Sequence, residues 1–370
     1  MLGIYVHIPF CLRKCPYCSF YSERFDEETS RRYVETVCRN IACYKDRGLA
    51  ADTLYFGGGT PSVLTAEQVG RIVDESRKAF VLDGAEITLE ANPCTVDEDK
   101  LRELKAAGVN RISFGVQSAD NSRLRFLGRL HDYETAEKAV MTAAKVGFEN
   151  ISGDLMLGAA GEDCESLKAT IDRLCGLPLT HVSAYMLKIE QGTPFDNDSV
   201  RTLTADDDLM SDLYLTAVEK LEKRGFTQYE VSNFAKENFQ SRHNNKYWLG
   251  EEYLGFGASA HSYFEGARSF CPPDLRQFIE SPRQPMEIIE ECPDKAEEYI
   301  LLGLRLTKGI SLGRVSELYS RQAVGRLKRL AEFYAAHGLL KLTEDNISLT
   351  PKGFLVSNSI IAEFIDAVNV

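Results

Sequence analysis

The first two hundred residues alternate between short apolar segments and amphipathic helical segments. Six segments have the length and β-branched composition of buried strands, at residues 3–8, 53–56, 86–90, 111–116, 151–157 and 181–187. Helical patterns lie between them, and two of these follow predicted capping boxes at residues 65–68 and 95–98. Six β/α units in succession predict a parallel sheet with helices on its outside.

Polar residues follow successive predicted strands, and they help to choose between two architectures. An open doubly wound sheet and a full or partial TIM-like barrel both fit the alternation. Three cysteines follow the first strand, the segment 57–60 (Gly-Gly-Gly-Thr) follows the second, and Glu90, Gln117, Asp154 and Tyr185 lie at or near the ends of the others. In a barrel these ends converge at one mouth. Because six units are two short of closure, we predict a partial (β/α)6 TIM-like barrel.

The pattern changes after residue 205, which predicts further domains. We predict the partial barrel at residues 1–205, a β/α extension at 206–290, and a helical, winged-helix-like C-terminal domain at 291–370 with a small strand pair at 339–349. A DNA-binding role for this tail is disfavoured, since residues 311–370 hold seven Lys/Arg against six Asp/Glu.

Charge and hydropathy exclude several classes of partner. The chain has 43 Lys and Arg against 55 Asp and Glu, a formal net charge of −12, so nucleic acid is not an expected partner. No run of about 18 apolar residues predicts a membrane span, and residues 1–10 lack a basic targeting segment. We therefore expect a cytoplasmic protein. Seven of the ten cysteines are scattered and are expected to be small buried apolar residues: Cys38, Cys43, Cys94, Cys164, Cys175, Cys271 and Cys292.

The other three cysteines, Cys11, Cys15 and Cys18, lie within eight residues. Thiolates hold iron–sulfur clusters, with four thiolates for a complete set of ligands to a 4Fe–4S cube. Three cysteines on one loop leave one iron without a protein ligand, and an open position is typical of a reactive metal site. Zinc is the alternative, but it needs a second pair of ligands, which this sequence lacks. The spacing therefore favours a 4Fe–4S cluster.

The Cys-x₃-Cys-x₂-Cys spacing, with an aromatic residue before the last cysteine, resembles the signature of the radical S-adenosylmethionine (radical SAM) superfamily. The resemblance implies a six-unit partial barrel and an open iron chelated by the methionyl amine and carboxylate. It also implies one-electron cleavage of the sulfonium to a 5′-deoxyadenosyl radical. The matching positions expected to contact S-adenosylmethionine are Tyr5, Tyr17, Gly58, Gly59, Thr60, Glu90, Gln117, Arg129 and Asp154.

A narrower resemblance covers nearly the whole chain. Residues 5–11, 57–61, 114–118 and 233–235 are similar to the branch that contains oxygen-independent coproporphyrinogen III dehydrogenases and haem chaperones. The dehydrogenase pattern has another cysteine two residues after the third, where this chain has Phe20 preceded by Ser19, and a long segment before the cluster loop. Both differences disfavour decarboxylation of a porphyrinogen.

Residues 243–248, His-Asn-Asn-Lys-Tyr-Trp, match the His-Asn-x-x-Tyr-Trp element of the haem chaperones. An imidazole can bind haem iron, and aromatic rings can pack on a porphyrin. The resemblance makes His243, Tyr247 and Trp248 candidates for binding haem, with His261 as an alternative ligand. The residues alone also fit a strand edge with Tyr and Trp in the core and a structural His.

Two functions fit these features. The first is a haem-binding chaperone with a radical SAM core, which delivers haem to acceptor proteins such as membrane respiratory enzymes. The second is a radical SAM enzyme that acts on a tetrapyrrole such as coproporphyrinogen III. The core is able in principle to cleave S-adenosylmethionine in either case, and no catalytic residue beyond the cofactor ligands is assigned. The expected cofactors are the 4Fe–4S cluster and S-adenosylmethionine, with haem as cargo.

Overall fold

The computed structural model describes residues 1–369. The strands of its first half are β1 (Leu2–Ile8), β2 (Phe10–Cys11), β3 (Glu23–Arg24), β4 (Ala51–Gly58), β5 (Glu86–Ala91), β6 (Arg111–Gln117), β7 (Asn150–Leu157) and β8 (His181–Met186). The helices there are α1 (Glu27–Ala42), α2 (Ala66–Ala79), α3 (Glu98–Ala106), α4 (Asn121–Phe126), α5 (Tyr133–Lys145) and α6 (Cys164–Cys175). Short 3₁₀ turns lie at Pro61–Val63 and Pro93–Thr95.

The second half is more mixed. Its helices are α7 (Asp198–Arg201), α8 (Asp207–Lys223), α9 (Arg242–Trp248), α10 (Leu275–Glu280), α11 (Lys295–Gly303), α12 (Leu312–Leu318), α13 (Arg321–Ala336), α14 (Pro351–Leu355) and α15 (Ser357–Asn369). Its strands are β9 (Thr227–Gln228), β10 (Asn233–Ala235), β11 (Tyr253–Phe256), β12 (His261–Phe264), β13 (Ala267–Phe270), β14 (Glu287–Glu291), β15 (Ile310–Ser311), β16 (Leu340–Leu342) and β17 (Asn346–Leu349).

One sheet of twelve strands organises the molecule, in the order β14-β13-β12-β11-β1-β4-β5-β6-β7-β8-β10-β9. The six strands predicted from the sequence are β1 and β4–β8, and they are parallel neighbours in that order. This confirms the predicted α/β fold class with its six-unit partial barrel. The sequence did not predict β11, which pairs parallel to β1. Strands β9–β14 extend the same sheet, and the domain boundaries at 205 and 290 stay predictions.

Residues alternate between two environments along the barrel strands. Leu54, Leu89 and Phe114 are fully buried in the apolar core. The next residues along two of these strands are polar: Tyr55 and Glu90 line cavities on the inner side of the sheet. Barrel interiors are normally filled by branched aliphatic side chains. The polar interior here therefore leaves a chamber instead of a packed core.

The capping residues were predicted with mixed success. The capping box at Thr65–Gln68 is confirmed, with Gln68 N donating to Thr65 Oγ1 at 3.1 Å and Thr65 N donating to Gln68 Oε1 at 2.9 Å. The second predicted capping box is wrong. Asp97 caps α3 by accepting from Lys100 N at 2.9 Å, whereas the hydroxyl of Thr95 donates to the carbonyl of Asn92 in the preceding 3₁₀ turn. The sequence suggested a longer helix because Thr95 and Glu98 have the spacing of a box.

Residues 243–248 lie in helix α9 and do not form a strand edge. The carboxylate of Glu86, at the start of β5, accepts from the backbone N–H groups of Arg242 and His243, each at 3.2 Å. Lys246 forms an ion pair with Asp52 at 2.7 Å and donates to the carbonyl of Met1 at 2.7 Å. Because these partners lie at the amino ends of β5, β4 and β1, α9 covers the barrel at the end opposite the cysteines.

The C-terminal part has the predicted winged-helix-like order. Helices α12 and α13 precede the β16–β17 pair, and β15 completes a small antiparallel sheet with β17. Helix α15 packs against α11 and α13. Within residues 1–369, no helix has both the length and the apolar composition needed to cross a membrane.

The scattered cysteines are less buried than predicted. Only Cys271 of the seven is buried, while Cys43, Cys94 and Cys292 are exposed and the others are partly buried. The prediction was wrong because it relied on the general burial preference of free cysteine. Cys43 instead follows the last residue of α1, and Cys94 lies within a 3₁₀ turn. All ten cysteines are free thiols.

Glu86 should be important for stability, because it caps α9 and lies near a buried cation. Arg111 is only 1% exposed, and the nearby Glu86 carboxylate favours its charged form. We expect Glu86→Ala to lower the free energy of unfolding by about 3 kcal/mol, since it leaves two backbone donors unpaired and removes the negative charge nearest to a buried cation. Urea denaturation measures this, with exposed Glu103→Ala as the control, which should stay within about 0.5 kcal/mol of wild type. Equal losses for the two variants would contradict the role of Glu86.

Candidate cluster and cofactor site

A cavity of about 490 Å³ lies at the carboxyl ends of the barrel strands. We call it the cysteine cavity. Its lining includes all three clustered cysteines and eight of the nine residues predicted to contact S-adenosylmethionine: Cys11, Cys15, Cys18, Tyr17, Gly58, Gly59, Thr60, Glu90, Gln117, Arg129 and Asp154. The structure therefore brings together residues from five barrel strands and the loops that follow them.

The cysteine loop follows β1 and is held close to the strand end of β4. Cys11 lies in β2, and its Sγ is 3.3 Å from Thr60 Oγ1. A turn joins Cys15 and Cys18, since Cys18 N donates to Cys15 O at 3.1 Å. Among residues 1–369, no three His, Cys, Asp or Glu side chains converge as the ligands of one metal ion would. A 4Fe–4S cube binds each thiolate at a different iron, so three thiols on one loop at the cavity suit a cluster.

The glycines after β4 are required by close packing. Gly58 has φ +107°, and a Cβ there would lie 2.6 Å from the ring of His7. A Cβ on Gly59 would lie 2.8 Å from the carbonyl oxygen of Phe10. A side chain at either position would displace β4 from the cysteine loop. Glycine instead leaves the backbone of this turn open to the cavity, where a ligand can approach it closely.

Gln117 and Arg129 present unused hydrogen-bonding atoms at the cavity. Gln117 has φ +69° at the end of β6, and its buried Oε1 has no partner among the described residues. Arg129 donates through Nη2 to Gly115 O at 2.9 Å and through Nη1 to Cys15 Sγ at 3.5 Å, whereas its buried Nε has no partner in residues 1–369. Buried polar atoms are normally paired. These atoms therefore fit a bound polar molecule such as S-adenosylmethionine.

Two carboxyl groups face the same cavity. The Tyr55 hydroxyl donates to Glu90 Oε1 at 2.8 Å, and the Ser113 hydroxyl donates to Asp154 Oδ1 at 3.2 Å. Burial raises the pKa of Glu90 to about 7 and also raises the pKa of Asp154. Each group can accept hydrogen bonds from an amine or from ribose hydroxyls, which is the role predicted for them.

Tyr5, the ninth predicted contact, lies in a different place. It lines a second cavity of about 590 Å³, which we call the aromatic cavity. The lining of the aromatic cavity is Tyr5, His7, Ser19, Phe20, Tyr21, Tyr55, Glu90, Tyr185, Glu230, Ser232, Asn233, Asn244, Tyr247, Trp248, Tyr253, Ser259 and His261. The Tyr5 hydroxyl shares a hydrogen bond of 3.1 Å with His7 Nδ1. Tyr5 therefore lies on the inner face of β1, at the wall of the aromatic cavity, and its contact with S-adenosylmethionine stays a prediction.

The two cavities adjoin. Ser19, Phe20, Glu90 and Tyr185 line both of them. A molecule in the aromatic cavity would therefore lie next to one bound at the cysteines.

Of the predicted haem-binding residues, Tyr247 and Trp248 line the aromatic cavity, whereas His243 is buried behind Tyr247. His243 is 1% exposed, and both of its ring nitrogens have partners: Nδ1 is 2.8 Å from Thr53 Oγ1 and Nε2 is 2.9 Å from the Tyr247 hydroxyl. Burial lowers the pKa of His243 to about 3. Tyr247, Trp248 and His261 line the cavity directly.

Several lining residues were not predicted from the sequence. Tyr55, Tyr253, Glu230 and Phe20 belong to this group, and Tyr185 was predicted only as a strand-end residue. Tyr253 could not be placed, because the pairing of β11 with β1 joins residues 250 positions apart.

Gly115 allows a test of the role of Arg129. A Cβ at Gly115 would lie 2.9 Å from both Arg129 Nη2 and Gln117 Nε2, so the Gly115→Ala side chain displaces both. We expect the affinity for S-adenosylmethionine to fall about tenfold, the effect of losing a charged hydrogen bond. Binding to the reconstituted protein measures this, while iron and sulfide content should be unchanged.

The matched control is Gly70→Ala in α2, where the added Cβ meets only Ala107 Cβ at 3.5 Å. This variant should bind S-adenosylmethionine as the wild type does, and its stability should rise by about 0.5–1 kcal/mol because alanine favours a helix. Unchanged affinity in Gly115→Ala would exclude Arg129 and Gln117 from the cofactor site.

The raised pKa of Glu90 predicts a pH dependence of stability. In the folded protein this pKa is about 7, whereas its ordinary value is 4.5. The unfolded chain therefore releases this proton at lower pH than the folded chain, and stability falls as pH rises from 4.5 to about 7. Glu90→Gln removes this loss, so the stability of the variant relative to wild type should increase across that window and level off above it. Urea unfolding across the window measures the difference, and a constant difference would contradict the assignment.

Comparison with known proteins agrees with this geometry. The family model of the radical SAM superfamily matches residues 5–174, and that of the HemN C-terminal domain matches residues 293–356. A heme chaperone HemW of Bacillus subtilis is 34% identical over 99% of both chains. A heme chaperone HemW of Escherichia coli is 32% identical over 98% of both chains.

A solved structure shows the same fold over most of its length. Coproporphyrinogen III oxidase (HemN) from Escherichia coli, described as a radical SAM enzyme, superposes with a TM-score of 0.82. The match covers 98% of this chain and 89% of the other, at 22% sequence identity. The relatives at 30% identity and above, matched over nearly their full length, decide the family. This chain belongs to the HemW family of heme chaperones within the radical SAM superfamily.

Proposed function

We propose that this protein is a haem-binding chaperone that holds haem in the aromatic cavity, next to a 4Fe–4S cluster and S-adenosylmethionine in the cysteine cavity. The observation that carries the proposal is the adjoining position of the two cavities. A flat, largely apolar ligand with a few polar groups needs a cavity lined by aromatic rings and a small number of polar side chains. The aromatic cavity offers six tyrosines and the single tryptophan of the chain.

The residues of the cysteine cavity have separate roles in this proposal. Cys11, Cys15 and Cys18 would hold the cluster, which in its reduced state would supply the one electron that cleaves the sulfonium of bound S-adenosylmethionine. Arg129 pairs with the carboxylate of the cofactor, and Glu90 and Asp154 accept from its amine and hydroxyl groups. The backbone at Gly58 and Gly59 lets the methionyl part approach closely.

Several observations favour a chaperone over an enzyme that oxidises porphyrinogens. The relatives from Bacillus subtilis and Escherichia coli that align over nearly the whole chain carry the name heme chaperone. Ser19 and Phe20 follow the third cysteine, and both line the two cavities. The likeness to coproporphyrinogen III oxidase is one of fold. We further propose that haem passes from this protein to acceptor proteins, such as respiratory enzymes of a membrane.

We also propose a reducing compartment, the cytoplasm, as the place of action. All ten cysteines are free, and three of the scattered ones are exposed. Exposed free thiols persist where the thiol pool is kept reduced.

Filling the aromatic cavity tests the location of haem. Ser232 lines this cavity, so Ser232→Phe should reduce haem binding at least about tenfold by occupying part of its volume. The wild-type chain, with its cluster reconstituted anaerobically, should bind about one haem per chain. Absorption titration measures both. The control is Ser359→Phe on the exposed side of α15, which should bind haem as the wild type does.

Two outcomes would overturn the proposal. The first is the absence of haem binding by the reconstituted wild-type protein. The second is conversion of coproporphyrinogen III with release of 5′-deoxyadenosine, which would make the protein an enzyme of tetrapyrrole synthesis.

A further inference from the structure

We infer that strand β14 is the docking edge for a Lys/Arg-rich extended segment of the haem acceptor, which pairs with it as a further strand of the sheet. The inference rests on the proposed function, since it names the surface on which the acceptor is held while haem is passed on. Four properties of β14 carry it: an open backbone edge, exposed apolar side chains, an excess of carboxylates and a position close to the aromatic cavity.

The twelve-stranded sheet has two edges, and they differ in length. At one edge β9 has only two residues, and its Gln228 is buried. At the other edge β14 has five residues, all of them exposed, and within residues 1–369 it pairs with β13 alone. The outer side of β14 therefore presents free backbone N–H and C=O groups, and such a row can pair with another extended chain.

The side chains of this edge are partly apolar. Ile288 and Ile289 are 61% and 55% exposed, and Met286, just before the strand, is 42% exposed. Edge strands are usually protected by lysine, by proline or by a very short length. β14 instead carries two adjacent isoleucines, and apolar side chains grouped at a surface are typical of an interaction site.

A β-bulge makes this edge selective. Ile288 lies opposite Ser269 and Glu290 lies opposite Arg268, so Ile289 has no partner on β13. Bulges limit the pairing of an edge with arbitrary strands. A partner must therefore be held by its side chains as well as by its backbone, and the charge of the edge becomes important.

The charge around β14 is strongly negative. Residues 280–298 hold seven Asp and Glu against two Lys and Arg, and three of the five residues of β14 are glutamates. The cation of β13, Arg268, is paired with Glu298 and lies 3.6 Å from Glu290, so it is already shared between two carboxylates. A docked strand with Lys or Arg opposite these glutamates is stabilised, because opposite charges favour cross-strand pairs.

The same charges oppose a second copy of this strand as the occupant. Antiparallel pairing of all five residues of two β14 strands would place Glu287 of each copy opposite Glu291 of the other. Like charges directly opposite each other destabilise a strand pair. Membrane proteins, by contrast, carry an excess of Lys and Arg in their cytoplasmic loops. The proposed acceptors, respiratory enzymes of a membrane, therefore offer segments of the required charge.

β14 also lies close to the aromatic cavity. Phe270 on β13 is paired with His261 of β12 on one side and with Glu287 of β14 on the other. His261 lines the aromatic cavity, and its ring is stacked on Phe270. Since neighbouring strands are about 4.8 Å apart, a docked segment would lie three spacings, about 14 Å, from His261. The acceptor is thereby held beside the cavity from which it takes haem.

The edge is fixed in place before a partner arrives. Gln284, just before β14, donates from its backbone N to Asn40 Oδ1 at 2.7 Å and from Nε2 to Gly255 O at 2.8 Å. Its Oε1 accepts from Gly257 N at 2.9 Å. These bonds tie the start of β14 to α1 and β11. A site held in this way loses less conformational entropy on binding than a mobile one does.

The experiment is a titration of the full-length chain with two short, blocked, fluorescently labelled peptides. One peptide alternates valine and lysine, and the other alternates valine and glutamate. We expect the lysine peptide to bind and the glutamate peptide not to bind. A rise in salt from about 0.05 M to about 0.5 M should weaken binding of the lysine peptide about tenfold, because it screens exposed charge pairs. Amide hydrogen exchange at residues 287–291 should slow in the complex, since free N–H groups become bonded.

Charge reversal locates the contact. The double variant Glu287→Lys with Glu291→Lys should bind the lysine peptide at least about tenfold more weakly than the wild type and should bind the glutamate peptide instead. Both side chains are exposed, so this variant should keep the stability of the wild type. The matched control is Glu103→Lys with Glu332→Lys, at exposed positions of α3 and α13, which should bind the lysine peptide as the wild type does.

Three results with the peptides would overturn the inference: no binding of the lysine peptide by the wild type, equal binding of the two peptides, or binding that leaves hydrogen exchange at β14 unchanged. A wild-type dimer that Ile289→Lys dissociates would also overturn it, by assigning the edge to a second copy. Haem titration of the same proteins keeps the two proposals apart, since the Glu287→Lys with Glu291→Lys variant should bind haem as the wild type does. Absence of haem binding by the wild type would overturn the proposed function, whereas failure of the peptide alone would leave it intact.

Discussion

The hydrogen bonds that Glu86 accepts from helix α9 determine where this helix meets the barrel, and so where the aromatic cavity lies relative to the cysteine cavity. The first N–H groups of a helix have no partner within the helix, and they form its positive end. Here a carboxylate at the start of β5 accepts from two of them. This contact and the Lys246–Asp52 ion pair place α9 across the amino ends of three barrel strands. As a result the ring of His243 lies on Tyr55, at a centroid distance of 5.0 Å, and Tyr247 reaches the aromatic cavity.

The interior of the barrel shows what this arrangement requires. A core of branched aliphatic side chains would leave no chamber between α9 and the cysteine loop. The apolar core instead lies where the strands meet the outer helices, with residues such as Phe56 and Val69 fully buried. Glycine keeps the inner side open, since a Cβ on Gly57 would lie 3.0 Å from the rings of Tyr5 and Tyr55. The outer face of each strand therefore packs the apolar core that stabilises the fold, while the inner face of the same strand lines the cavities.

Much of the barrel could be predicted from the sequence, because its strands are continuous apolar segments and its polar residues follow them. The three cysteines and eight predicted cofactor contacts come together for the same reason: the ends of parallel strands converge. Tyr5 lines the adjoining aromatic cavity instead, because it lies on the inner face of β1, and its contact with S-adenosylmethionine stays a prediction. The strand β11 was missed because it enters the sheet beside β1 from a distant part of the chain. Residues 243–248 were interpreted as a strand edge when taken alone, whereas they form a helix held by long-range contacts to Glu86 and Asp52.

The same limit applies to the chemistry of the His-Asn-x-x-Tyr-Trp element. A spacing of four residues puts His243 and Tyr247 on one face of a helix, and a spacing of two puts Tyr5 and His7 on one face of a strand. Each pair can form a hydrogen bond, so local sequence gives both pairs the same description. Their difference lies in the third partner: a hydroxyl from Thr53, which is 190 residues away from His243, and a carbonyl from Tyr21. A hydroxyl lets the imidazole exchange its tautomer, whereas a carbonyl does not. The tautomers open to each buried imidazole are therefore set by a residue outside the motif.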